Sequence, residues 1–279
     1  MASSNGSSAS VWVIGGKTRV FAVLGDPVAH SLSPAMHNSA FHALGLDAVY
    51  VALRAQAADI PTLVRALARA GGGGNVTLPH KEVAAHAVTR PTARVSLLGA
   101  CNTFWGDDGE IAGDNTDVDG VLVALRGLEA PATGWLIAGT GGGGRAAVAA
   151  GVACGARIAI RSRDPGRRKA VEAWATAQKA QLIPSVECEV LINATPLGLK
   201  PGDHLPLALE EAPRAQVAFD MVYGRGETAW VRQMRQEGLR AADGRAMLVA
   251  QGAAAFRRWF PDEDPPAEVM RAAVNDALR

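Results

Sequence analysis

The sequence predicts an α/β protein built from two successive α/β units. Three observations carry this. From about residue 17, apolar strand-like runs alternate with helical runs, which implies a mostly parallel sheet covered by helices. The alternation restarts near residues 115–135, the candidate domain boundary. Just past the restart, a glycine-rich turn sits between a strand and a helix. With 279 residues, the chain suits one large or two medium domains and can bury a sizeable core.

The first unit opens with RVFAVLG, a buried strand ended by Gly25. Pro34 to Leu44 has Met36, Ala40, Phe41 and Leu44 on one side of a helix. AVYVAL is the second strand. Asp59 to Ala70 is a helix with Ile60, Leu63, Val64 and Leu67 at helical spacing, ended by Gly71. GNVTL is a short third strand. In the second unit GWLIAG, RIAIRS, EVLINAT and QVAFDMV are strands, and GGGGRAAVAAGVACG is a loop and helix. From Met247 the chain is helical, with a Pro-Pro break before AEVMRAAVNDALR.

Composition narrows the function classes. Hydrophobic residues are 48%, charged residues 20% and the net charge is +1. Nucleic acid and anionic membranes usually recruit a strongly basic surface, so neither is expected as a partner. Cys101, Cys154 and Cys188 are scattered and odd in number, which suits a reducing cytosol with neither disulfide framework nor zinc cluster. The Ser-rich start lacks a basic stretch followed by an apolar core, so it is no secretory signal; residues 1–16 read as a flexible leader. The apolar run AAVAAGVACGARIAI is interrupted by glycines and Arg157 and is too short to span a bilayer. A soluble, cytoplasmic protein is expected.

The turn Gly139-Thr140-Gly141-Gly142-Gly143-Gly144 fits G-x-G-x-x-G. Alone this is weak, because many such stretches are only loops. Here a strand enters it, a helix of small residues leaves it, and RIAI follows where a βαβ unit requires a strand. The first glycine permits the tight turn and the second lets the backbone approach a pyrophosphate. The helix N-terminus offers free N–H groups and partial positive charge to that anion. The second strand ends Arg161-Ser162-Arg163-Asp164, with Arg167, Arg168 and Lys169 close behind. An NAD site typically carries an acid at that strand end, whereas arginines attract a 2′-phosphate, so NADP is favoured. These charges also suit the solvated first turn of a helix capped by Asp164, and Asp164 leaves NAD open.

Four polar segments cluster at strand ends in the first half: His30-Ser31-Leu32-Ser33-Pro34, Asn75-Val76-Thr77-Leu78-Pro79-His80-Lys81, Ala100-Cys101-Asn102-Thr103 and Gly113-Asp114-Asn115-Thr116-Asp117. Ligands of open α/β sheets bind beyond the carboxyl ends of strands. Ser, Thr and Asn suit a polyhydroxylated ligand because they donate and accept without net charge. Each segment also has a local reading. Ser31 and Ser33 before Pro34 fit a helix cap, Asn102 and Asn115 fit turns, and Lys81 fits a solvated surface lysine. A calcium loop starting at Asn115 fails, because position twelve is Arg126 rather than the bidentate Glu. The six histidines show no metal spacing, so no metal is expected.

GDPVAHSLSP, NVTLPHK, GACNT, GDNTD, GTGGGGR, NATPLG, DMVYG and DGRAMLVAQGA occur in this order. Together they resemble the shikimate dehydrogenase family over nearly the whole chain from about Arg19. The resemblance implies two α/β domains around a cleft: an N-terminal substrate domain, 17–116 plus 244–279, and a Rossmann-like NADP-binding domain, 117–243. It implies NADP-dependent, reversible reduction of 3-dehydroshikimate to shikimate, on the chorismate route to aromatic amino acids. Lys81 and Asp117 match the pair that relays the proton. Ser31 and Ser33 match carboxylate-binding serines. Thr77, Asn102 and Gln251 match residues bonding the ring hydroxyls or carboxylate, with Asn75 in the same motif and Tyr223 at the substrate's edge. Gly139, Thr140, Gly141, Gly142 and Gly143 match the dinucleotide turn. Ser162, Arg163 and Arg167 occupy the adenosine-phosphate segment, and Thr195, Met221 and Gly244 complete the cofactor contacts. A monomer or homodimer with a small-molecule substrate is expected.

The sequence departs from the family pattern in three places. Ser162-Arg163-Asp164 stands where Asn-Arg-Thr is usual. Gly143-Gly144 replaces the commoner alanine or serine and is expected to loosen the turn. Cys101 replaces a valine and is expected to act as a small buried hydrophobe. Two other readings remain: a quinate/shikimate or aminoshikimate dehydrogenase using NAD or NADP, and a non-catalytic sensor of dinucleotide or shikimate. The intact Lys81 and Asp117 pair speaks against the sensor, which needs no proton relay.

Overall fold

The computed structural model describes residues 14–200 and 202–279; the leader expected at 1–16 lies mostly outside them. The first unit runs β1 (Arg19–Gly25), α1 (Ser33–Ala43), β2 (Ala48–Arg54), α2 (Ile60–Arg69), β3 (Gly73–Val76), α3 (Lys81–Ala87), β4 (Arg90–Pro91), α4 (Ala93–Leu98), β5 (Thr103–Asp107), β6 (Glu110–Asp114) and α5 (Asp117–Gly127). The second runs β7 (Gly134–Ala138), α6 (Gly142–Cys154), β8 (Arg157–Arg161), α7 (Pro165–Ala177), β9 (Val190–Asn193), β10 (Val217–Asp220), α8 (Ala229–Gln236) and β11 (Arg240–Ala242). Helices α9 (Arg245–Trp259) and α10 (Ala267–Ala277) close the chain.

The second sheet is wholly parallel, in order β11-β10-β9-β7-β8. Its strands carry continuous apolar runs because helices cover both faces. Helices α5, α6 and α7 bury Val121, Val148 and Val171 with Ile137 and Ile158 on one face, and α8 buries Trp230 and Met234 with Leu136 and Ala218 on the other.

The first sheet, in order β2-β1-β3-β5-β6-β4, is mixed, with three parallel and two antiparallel pairings. β1 pairs in parallel with β2 and β3, but β5 lies antiparallel to both β3 and β6. The cause is the hairpin between β5 and β6. Its turn residues, Asp108 and Gly109, both have positive φ, 49° and 81°, which matches the right-handed twist of paired strands. The third strand also ends earlier than its apolar run suggests, at Val76, and Thr77 to His80 form a loop.

The apolar periodicity of α1 holds: Met36, Ala40 and Phe41 are buried. They join Phe21, Phe256, Trp259, Phe260 and Met270, so α9 and α10 return to cover the first sheet. The other face is covered by α2, α3 and α4 through Ile60, Val64, Ala84 and Val95. Among the described residues no helix is long and apolar enough to cross a membrane.

Candidate active site

A cleft of about 900 Å³ lies between the ends of the two sheets. Strand direction explains why polar residues collect there. Ser31 follows β1 and Thr77 follows β3, at their carboxyl ends. Because β5 is antiparallel, its first residues reach the same rim, and Asn102 precedes it there. Asp117 follows β6 as the first residue of α5. Lys81 is the first residue of α3. All five line the cleft, together with Ser33, Asn75, Tyr223 and Gln251.

Lys81 and Asp117 meet in this lining. Lys81 Nζ lies 2.5 Å from Asp117 Oδ2, with side chains 15% and 6% exposed. Partial withdrawal from water strengthens such a pair relative to a surface one. Asn102 Nδ2 donates to the other carboxylate oxygen, Oδ1, at 2.9 Å. Asn115 accepts from the Asp117 backbone N–H at 3.2 Å and donates to Ala100 O at 2.9 Å. Asn102 and Asn115 thus hold the aspartate as well as shaping turns.

The GDNTD segment is clamped from outside the first half. Asp114 is 0% exposed. Its Oδ1 accepts from Thr92 Oγ1 and Asn115 N, and its Oδ2 from Arg258 Nε of α9, at 2.7, 2.8 and 2.9 Å. A buried carboxylate needs such a partner. Arg258 had no local signal, because it sits 144 residues from its acid.

Leu32 occupies the cap position of α1 without a side-chain hydrogen bond, Ser33 is the first helical residue and Pro34 the second, and Ser31 Oγ accepts from Ser33 N at 3.3 Å. Both serines also line the cleft. Gln251 reaches the same wall from α9, one turn after the cleft-lining Leu248. Tyr223 follows β10, and burial raises its phenol above the ordinary value. Asn75 is 6% exposed and spends both amide groups on protein neighbours. Cys101 is fully buried, with its thiol pushed up to about 12 chiefly by burial, so it packs as a small hydrophobe.

The facing wall is the second sheet. Strand order reverses at β7, with β8 on one side and β9 on the other, and ligands of such sheets bind at that point. Gly139, Thr140 and Gly141 follow β7, and Gly142 and Gly143 open α6. Gly139 has φ +121°, and a Cβ there would meet Ala194 O at 2.7 Å. Gly141 faces open space, so its backbone is free to approach a ligand. The expectation that Gly144 loosens the turn is overturned. A Cβ at Gly144 would lie 2.2 Å from Gly139 O, so the missing side chain lets helix and turn pack closely. Gly144→Ala is expected to cost about 1–3 kcal/mol, and Gly141→Ala less than about 0.5 kcal/mol. Denaturant unfolding of both variants checks this; equal stabilities would contradict it.

Thr195 follows β9, Met221 follows β10 and Gly244 caps α9; all three line the cleft. Ser162, Arg163 and Arg167 line its far end after β8. Asp164 caps α7, its Oδ1 accepting from Gly166 N at 2.8 Å and Arg167 N at 3.1 Å. Arg161, which stands at the strand end where an NAD site typically carries an acid, also lines the cleft and is held by Glu211 at 2.7 Å. Arg163 has no ion-pair partner among the described residues. These features fit a phosphorylated dinucleotide: an open glycine backbone, a helix N-terminus and an uncommitted guanidinium. Among the described residues no group of three or more His, Cys, Asp or Glu could hold a metal ion.

A parallel sheet with a glycine turn at its switch point, facing a lysine–aspartate pair across one cleft, defines a nicotinamide-dependent oxidoreductase. The sequence model of the shikimate dehydrogenase substrate binding domain matches residues 23–104, and that of the shikimate 5′-dehydrogenase C-terminal domain matches residues 244–274. The shikimate dehydrogenase (NADP(+)) of Methanothrix thermoacetophila is 41% identical, over 93% of this chain and 98% of its own. That of Microcystis aeruginosa is 35% identical, over 94% and 98%. The crystal structure of shikimate 5-dehydrogenase from Thermus thermophilus, in complex with NADP(H) and shikimate, superposes with a TM-score of 0.84 at 36% identity, covering 92% of this chain and 99% of that one. The chain belongs to the shikimate dehydrogenase family.

Proposed function

We propose that the chain is an NADP-dependent shikimate dehydrogenase, reversibly reducing 3-dehydroshikimate to shikimate in chorismate and aromatic amino acid biosynthesis. The observation that carries this reading is the contact of Lys81 with Asp117 in a cleft shared with the dinucleotide turn. A Cβ at Gly142 would lie only 3.4 Å from Lys81 Cδ, so the start of α6 lies beside the lysine.

NADPH supplies the hydride that reduces the ketone carbon. Lys81 donates the proton to the ketone oxygen, and Asp117 keeps the ammonium oriented toward it. In the reverse direction the same pair accepts the proton of the alcohol. Ser31 and Ser33 receive the substrate carboxylate by hydrogen bonds, and Thr77, Asn102 and Gln251 receive the ring hydroxyls or the carboxylate. Tyr223 closes the edge. Arg163 and Arg167 receive the 2′-phosphate. Commitment of Asp164 to its helix cap supports NADP over NAD. In this reading residues 17–116 and 244–279 bind substrate and 117–243 bind the cofactor. The protein works in the cytoplasm as a monomer or homodimer.

The test is the absorbance of reduced nicotinamide, with shikimate or quinate as substrate and NADP or NAD as cofactor. Turnover with shikimate and NADP, and far less in other combinations, is expected. Comparable turnover with quinate or NAD would move the chain to the broader quinate/shikimate group. Binding without turnover in every combination would sink the enzyme reading in favour of a sensor.

A further inference from the structure

Strand register places Thr103 of β5 between Asn75 of β3 and Asp114 of β6. Thr103 is fully buried and does not line the cleft, and the same holds for Tyr50 of β2, at 0% and 1% exposure. We propose that Tyr50, Asn75 and Thr103 form a positioning chain that acts through Asn102 to hold the Asp117 carboxylate in one orientation, with Thr103 as its central link. This rests on the reading of Lys81 and Asp117 as the proton-transfer pair.

Backbone partners decide the orientation of both amides. Asn75 Nδ2 lies 3.1 Å from Asn102 O, which can only accept, and 3.0 Å from Thr103 Oγ1. Asn75 Oδ1 therefore faces Tyr50, whose hydroxyl donates to it at 2.7 Å. Asn102 Oδ1 lies 2.8 Å from Thr116 N, which can only donate. Asn102 Nδ2 therefore faces Asp117 Oδ1. The Thr103 hydroxyl joins the two amides. It accepts from Asn75, and its own proton reaches Asn102 Oδ1 at 2.9 Å, the shorter of its two onward contacts; the other, at 3.1 Å, is to Thr116 Oγ1, which also bonds Asn102 Oδ1 at 3.2 Å. Asp117 Oδ1 thus takes the Asn102 amide and Oδ2 takes Lys81.

The far end is anchored in the aromatic core, where the Tyr50 ring stacks on His37 with centroids 4.6 Å apart. Removing a link strands polar atoms out of reach of water, where an unpaired group is costly. The affordable response is for the amides to turn, which frees the Asp117 carboxylate to rotate away from Lys81.

Thr103→Val removes the hydroxyl and keeps the shape. It is expected to lower kcat for shikimate roughly 10- to 100-fold, the scale of a small misplacement of a reacting group, with KM little changed. Thr103→Ser restores most of kcat because it keeps the hydroxyl. Tyr50→Phe lowers kcat in the same sense, by less. Melting temperatures are read beside the kinetics. Wild-type kcat in Tyr50→Phe and Thr103→Val would overturn the proposal, even with lowered melting temperatures, and so would a serine variant as slow as the valine one. If Thr103→Val does not fold, Tyr50→Phe and Thr103→Ser decide alone. Lys81→Ala is assayed in parallel: turnover surviving there defeats the catalytic reading itself, whereas its loss beside a wild-type Thr103→Val removes only the chain.

Discussion

Lys81→Ala is expected to lower kcat for shikimate oxidation about 10²–10⁴-fold, the usual worth of positioned proton transfer, while shikimate and NADP still bind. The geometry argues for a loss in the chemical step. Lys81 is only 15% exposed and its ammonium is held 2.5 Å from Asp117. Its backbone is fixed as well, because its carbonyl accepts from Cys101 N at 2.8 Å. A surface lysine contributes little to binding and nothing to turnover. A proton donor acts when charge develops on the substrate oxygen, so its loss should lower kcat and kcat/KM together. The serines, Thr77 and Gln251 remain to hold the substrate. Steady-state kinetics with isothermal titration of both ligands separates the two effects. A kcat within a few-fold of wild type would remove Lys81 from the mechanism, and a loss confined to KM would make it a binding residue.

The residues that gather at the cleft were legible because they lie in short, local and chemically marked segments. Gly139 and Gly141 announced themselves by their spacing after a strand, and the structure gives each a local reason. Met36, Ala40 and Phe41 followed helical periodicity into the core. Features that depend on distant pairing were not legible. No pattern around Arg258 indicates Asp114, since only the return of α9 to the first sheet brings them together. Gly144 looked like a weakness until its distance to Gly139 was known. The β5–β6 hairpin was a different failure. Its Asp108-Gly109 turn is a strong short-range signal that the alternation of strands and helices alone does not show. Asn75 lines the cleft as its place in NVTLPHK suggests, and its amide also bonds to Tyr50, Asn102 and Thr103, partners that the motif does not indicate.

Acid is expected to destabilise the protein through one residue that the chemistry does not use. His37 on α1 is 0% exposed, and neither ring nitrogen has a hydrogen-bond partner. Tyr50, Trp259 and Phe41 surround it, at centroid distances of 4.6, 4.9 and 6.2 Å. Burial among these rings lowers its pKa from 6.5 to about 3. The folded state therefore keeps His37 neutral at a pH where the unfolded chain has protonated it. Stability from this group is complete above pH 6.5 and is lost as pH falls toward 3. The loss approaches about 5 kcal/mol at the lower end, a large share of the stability of an ordinary domain. Asp220 opposes it. Burial raises this carboxyl from 3.8 to about 6, although Asn193, Thr228 and the Val222 N–H all donate to it. The folded state then takes up a proton before the unfolded chain does, which adds up to about 3 kcal/mol as pH falls from 6 to 3.8. The two terms partly cancel between pH 6 and 4, and His37 prevails below that. His37→Phe keeps an aromatic ring and removes the titrating nitrogens. Unfolding free energies measured by denaturant from pH 7 to 4 should fall less with acid in this variant than in wild type, by close to one proton in slope. Parallel curves would mean that His37 finds a partner or water in solution and that the acid sensitivity resides elsewhere.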